Sequence, residues 1–229
     1  MYKYFDAHCH YSFLRKRYEG YFIAAVSMDY QSSLDTLLLK SDNILVGVGI
    51  HPWRVHEEDI NRVLPLINRA DFVGEVGLDY RFAKASRDLQ IAYFERQIEE
   101  SKGKLINVHA LDAWEDAFNI LIKHNVKRAI FHWYTGPLTL LKDIEGAGYF
   151  ISINPSVTFQ KKHQNVLEKA DLRILLTESD GGYEYRGKLL EPTDIPETLI
   201  YMSKVLGLGE DYLIRIIRDN FARAFSILF

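Results

Sequence analysis

The sequence predicts an α/β fold, a (β/α)8 TIM barrel, and three observations carry that expectation. Eight short apolar runs of β character alternate with longer stretches of helical period along the 229 residues. Histidines and acidic residues fall where those runs end, the face on which such barrels build their sites. The GxGxxG turn that opens a dinucleotide-binding doubly wound sheet is missing.

Taken in order, the strand runs are 4–9, 21–27, 44–50, 72–76, 105–108, 128–131, 149–153 and 174–177. The first helical stretch, "QSSLDTLLLK", places Leu34, Leu37 and Leu38 near i, i+3, i+4 spacing. "HEEDINRVLPLINR" follows the third strand. "SRDLQIAYFERQIEESKG" follows the fourth, with Ser86 as its N-cap and Gly103 as its stop. "LDAWEDAFNILIKHN", "GPLTLLKDIEGAG" and "KKHQNVLEKAD" supply the next helices, and "PTDIPETLIYMSKVLG" leads to the C-terminal segment. There Leu213, Ile216, Ile217, Phe221 and Phe225 form a stripe that docks onto the barrel. Residues 181–187 and "EPTDIP" read as one long loop on the site face. No linker or shift in composition marks a second domain, so residues 1–229 read as one.

Composition excludes several classes. The net charge of −3 argues against a surface that holds nucleic acid by neutralising its backbone alone. The single Cys9 forbids an internal disulfide and reads as a small hydrophobe packed outward against a helix. No apolar run nears membrane-spanning length and no leader-like segment opens the chain, so a reduced, cytoplasmic setting is expected. The basic run "LRKRYEG" reads as a solvated surface.

The chemistry starts at "FDAHCHYSF". On a strand, Asp6, His8 and His10 share one face while Cys9 points the other way. His51 follows the third strand, Glu75 lies at the end of the fourth, His109 of the fifth and His132 of the sixth, and Asp180 follows the eighth. Five of the eight histidines thus sit at strand ends, which scattered residues would not do. Imidazole favours zinc, while carboxylates also admit manganese or magnesium. Glu75 could bridge two such ions, and Asp180 could serve as ligand and general base together. Asp79 either braces a ligand or shapes its loop. Aromatic and basic residues crowd the same loops: Trp53 and Arg54, Tyr80 and Arg81, Trp133 and Tyr134, and Tyr183 through Tyr185 to Arg186 form a candidate platform for unpaired bases.

Read together, "FDAHCH", "GIHP", "GEVGLD", His109, "FHWYTG", "TESD" and the late "DNFARAF" resemble the ordered motifs of the TatD family of metal-dependent deoxyribonucleases. The resemblance implies an amidohydrolase-type barrel with two divalent ions (Mg, Mn or Zn) and hydrolysis of DNA phosphodiesters, typically from the 3′ end. It implies His8, His10, Glu75 and Asp180 on one ion, Glu75, His109 and His132 on the other, and His51 on the substrate phosphate. The chain departs from the pattern at Leu111, where the family has arginine, and at Tyr11-Ser12, "ESDGG" and "HWYTG"; none of these changes removes a ligand. Single-stranded DNA is the expected partner. The alternatives are a hydrolase of small phosphoesters or esters, and a metal-bearing barrel that serves as a subunit of a larger complex.

Overall fold

A computed structural model describes residues 2–14 and 16–229. Eight strands pair in parallel and in chain order: β1 (Tyr4–Cys9), β2 (Tyr21–Ala25), β3 (Ile44–Val48), β4 (Phe72–Asp79), β5 (Ile106–Leu111), β6 (Ala129–Phe131), β7 (Phe150–Ile153) and β8 (Leu175–Thr177). Closure uses the segment just beyond β8. The Asp180 amide donates to the His8 carbonyl at 3.0 Å, and the His10 amide donates to that of Gly181 at 2.7 Å. Cys9 is buried at this seam, its Sγ 3.7 Å from the Gly181 carbonyl.

The outer ring consists of α1 (Tyr30–Leu37), α2 (Ile60–Ile67), α3 (Arg87–Glu100), α4 (Trp114–Lys123), α5 (Leu141–Gly146), α6 (Lys161–Lys169), α7 (Ile195–Leu206) and α8 (Glu210–Phe225). Ser86 caps α3 as expected, its hydroxyl accepting from the Leu89 amide. In α8, Leu213, Ile217 and Phe221 are buried and Ile216 is half-buried. Phe221 packs on Phe5 and Phe225 on Phe72, rings near the starts of β1 and β4, with centroids 5.6 and 5.3 Å apart. α8 therefore plugs the end of the barrel opposite the strand-end histidines. Among the described residues no helix is long and apolar enough to cross a membrane.

Three expectations need correction. β4 and β5 run three residues past their expected ends, pairing Gly77 with His109, Leu78 with Ala110 and Asp79 with Leu111. Gly77 permits this closeness: its φ is +137°, and a Cβ there would lie 2.0 Å from the His109 carbonyl oxygen. In α1 the leucines are only part of the buried face, Leu34 and Leu37 lying half-buried against the core. Leu38 is 83% exposed, while Ser32, Ser33 and Thr36 face the sheet. The Ser33 hydroxyl bonds the Asp29 carbonyl and the Ser27 hydroxyl, so small polar residues bring this helix close to the strands. Residues 181–187 are not loop throughout; β9 (Glu184–Tyr185) and β10 (Lys188–Leu189) form a hairpin beside the mouth. Arg15, in the basic run, lies outside the described residues; its neighbour Lys16 pairs with Glu191.

Candidate metal centre

Glu75 sits at the middle of the barrel mouth, buried on β4 where the pairing with β5 slips between Val73 and Val76. Such an irregularity re-aims a side chain, here inward. His51 Nε2, His109 Nδ1 and His132 Nε2 lie 3.2, 2.9 and 2.9 Å from its Oε1. His8 and His10 Nε2 lie 3.5 and 3.3 Å from its Oε2, and 3.5 and 3.4 Å from Asp180 Oδ1. Asp180 reaches this position with φ +52°, a left-handed conformation that aspartate tolerates better than most residues. Trp133, with φ +42°, is a second strained residue at the mouth.

Polar groups behind them orient several of these rings, while His10 Nδ1 is buried without a hydrogen-bond partner. His8 Nδ1–H donates to Asn107 Oδ1 at 2.8 Å, and the Asn107 amide group is held by the Ala7 carbonyl. His8 Nε2 is left buried, without a hydrogen-bond partner, its lone pair toward the two carboxylates. His109 Nε2–H donates to Asp79 Oδ2 at 3.1 Å, which frees Nδ1 to face Glu75. Asp79 also accepts from Trp53 Nε1 and from the Arg81 and Phe82 amides. Glu178 Oε1 stands 3.6 Å behind His132 Nδ1. His51 is different: its Nδ1 accepts from the Trp53 amide, so Nε2 carries the proton and is a donor. Backing an imidazole with a carboxylate or amide fixes its tautomer and raises its basicity, the pattern found behind metal-bound histidines.

The electrostatics fit a cation. Burial alone would raise Glu75 and Asp180, but the surrounding imidazoles hold both carboxyls well below the usual range. Burial would lower His10, yet its bonds to Asp180 and Glu75 lift it to about 9. His132 and His109 are likewise raised against burial, by Glu75 with Glu178 and by Asp79 with Glu75. For His51 burial wins, and it falls to about 4. Protons held this firmly occupy the place of a positive ion. The 3.3–3.5 Å edges among His8, His10, Glu75 and Asp180 also match the roughly 3.4 Å between tetrahedral ligands about 2.1 Å from a zinc-like ion. Among the described residues, three groups each bring their ligand atoms within 4.8 Å of one another: His8, Glu75 and His132; His8, His10 and Asp180; His51, Glu75 and His109.

The cavity over these residues measures about 310 Å3. Trp53, Arg81, Trp133 and Tyr183 line it, as does the departure residue Leu111. Arg81 is held in a bidentate pair by Asp112 at 2.7 and 2.8 Å, so its charge is already matched. Two expected contacts are not there. Tyr134 is fully buried, packed against Trp114 with its hydroxyl on the Pro137 carbonyl, because the left-handed turn at Trp133 sends the next side chain inward. Tyr80 turns toward the outer helices, bonded to Asp116 and stacked under Arg87. Sequence reasoning passed over Asn107, Glu178, Phe13 and Phe82. The signal for Asn107 was its place two residues before His109, on the same strand face; for Glu178 it was a carboxylate at the end of the eighth strand run, two residues before Asp180.

A closed parallel barrel with imidazoles and carboxylates converging at the C-terminal mouth belongs to the class of metal-dependent hydrolases. Residues 5–226 match the family described as TatD related DNase, and the chain belongs to it. It is 29% identical to an uncharacterized metal-dependent hydrolase of Methanocaldococcus jannaschii, over 98% of this chain and 97% of that one. It is 25% identical to a human protein named deoxyribonuclease TATDN3, over 97% and 94%. The crystal structure of an Escherichia coli TatD homolog, YjjV, superposes with a TM-score of 0.85 at 18% identity over 99% of both chains, which supports the fold.

Proposed function

We propose that this metal-dependent hydrolase is a nuclease that cleaves phosphodiesters of single-stranded DNA, working from the 3′ end with two divalent ions (Mg, Mn or Zn). One observation carries the reading: imidazoles and carboxylates from six strands meet around Glu75 with the buried His8 Nε2 unpartnered. His8, His10, Glu75 and Asp180 would hold one ion, and Glu75, His109 and His132 the other. Bound there, the ions would polarise the phosphate and lower the pKa of water toward about 7. The neutral His51 donates from Nε2–H to a phosphate oxygen, which suits a substrate contact better than a ligand. Asp180, kept ionised, accepts the proton of the attacking water. Asn107, Asp79 and Glu178 hold the rings in place.

Leu111 and the matched Arg81 leave the cavity with little free positive charge for a long phosphate chain, and this favours one second reading, a small phosphodiester as substrate. The test offers 3′-labelled single-stranded DNA and a small activated diester with manganese or magnesium. Release of labelled nucleotide, abolished in Glu75→Gln, is the expected result. Turnover of the small diester alone favours the second reading, and turnover of neither overturns both.

A further inference from the structure

Beside the cavity, the β9–β10 hairpin and the turn after β7 enclose a second groove of about 360 Å3. Tyr185 lines both spaces, so the groove adjoins the cavity over the ion site. We propose that this groove is a stacking subsite for the unpaired nucleotide adjoining the one cleaved, an inference that rests on the single-stranded DNA reading above. Phe159, 53% exposed, has its ring 6.2 Å from that of Tyr185 and 14° from parallel. Trp133, at the rim of the ion site, meets Tyr185 edge-on at 5.0 Å. The rings thus form a path from the reacting centre outward. Phe159 is exposed and Tyr185 and Trp133 are half-buried along this path, and base faces are the chemistry such rings suit.

Charge selects the same occupant. Arg186 lies over Phe159 and Tyr185, 5.2 and 5.5 Å from their centroids, and has no carboxylate partner among the described residues. Lys188 is matched by Asp194 at 2.6 Å, and Glu197 lines the far wall. The free positive charge is therefore at the hairpin tip, on the aromatic side, where a base stacked on the rings would carry its phosphate. Arg186 and Gly187 form the two-residue turn with φ +53° and +79°. Such turns favour Asn, Asp or Gly at the first position, so the arginine sits there against backbone preference. Paired bases hide their faces, so the subsite discriminates for single strands.

The test uses the full chain with Phe159→Ala and Arg186→Gly, the latter suited to the turn. Binding of a 5′-fluorescein dT12 in EDTA is read by anisotropy, and hydrolysis of dT12 and of bis(4-nitrophenyl) phosphate is read with manganese. Each variant is expected to weaken binding about fivefold or more and to raise KM for dT12, with turnover of the small diester unchanged. Arg186→Gly should also reduce the salt slope of log K by about 0.7 and leave Tm no lower. Unchanged dT12 affinity in both variants overturns the subsite, whatever the enzyme hydrolyses. Weakened binding in a protein that hydrolyses neither substrate sustains the subsite and overturns the nuclease reading.

Discussion

His10 and His163 are both buried, yet one is pushed up to about 9 and the other down to about 4. His10 meets Asp180 and Glu75 at the barrel mouth. His163, on α6, meets the Ser156 hydroxyl, and its Nε2 has no partner. Burial lowers both rings; at His10 the bonds to Asp180 and Glu75 outweigh it, whereas at His163 the charge of Glu178 does not. The contrast separates a histidine assembled for a positive charge from one that fills space as a neutral ring.

The largest effect should come from removing the group that creates the difference. Glu75→Gln leaves the mouth imidazoles without their shared anion. It should cut hydrolysis by more than about 100-fold, the upper range for residues that only orient a ligand. Steady-state rates at saturating manganese check this, and a near-normal rate would break the comparison. Asp79→Asn should weaken metal affinity about 10- to 100-fold with the fold intact, because the ring of His109 loses its anionic brace. Equilibrium dialysis beside circular dichroism reads both quantities.

For His163 the sign follows from its folded value of about 4, below the ordinary 6.5. As pH falls from 6.5 the unfolded chain takes up a proton that the folded one refuses. Stability is therefore lost between pH 6.5 and 4, by about 3 kcal/mol in all, and is fully present above 6.5. His163→Leu should flatten that slope in urea titrations across the same range. An unaltered slope would place the acid sensitivity elsewhere. The smallest effect belongs to Leu38→Gln, within about 0.5 kcal/mol, since Leu38 is exposed; a larger drop in Tm would restore the leucine face of α1.

The legible and illegible parts divide along the same line. Strand positions and the strand-end histidines could be read from the sequence because β runs and imidazoles are local signals. The extension of β4 to Asp79 could not, since it depends on pairing with Leu111 across the sheet. Nor could the burial of Tyr134, which depends on the backbone turn at Trp133. Thr36 and its serines escaped notice because hydrophobic periodicity does not register a helix seated on polar residues. Asn107 and Glu178 leave a trace in the sequence by their strand-end positions, but which ring each one backs depends on the folded sheet.

Titrating the metal-free protein with manganese, by calorimetry in two buffers of different ionisation enthalpy, tests the central claim directly. The account predicts two ions bound per chain, with protons released as the imidazoles give up their charge. Saturation without proton release, or no binding at all, would contradict it.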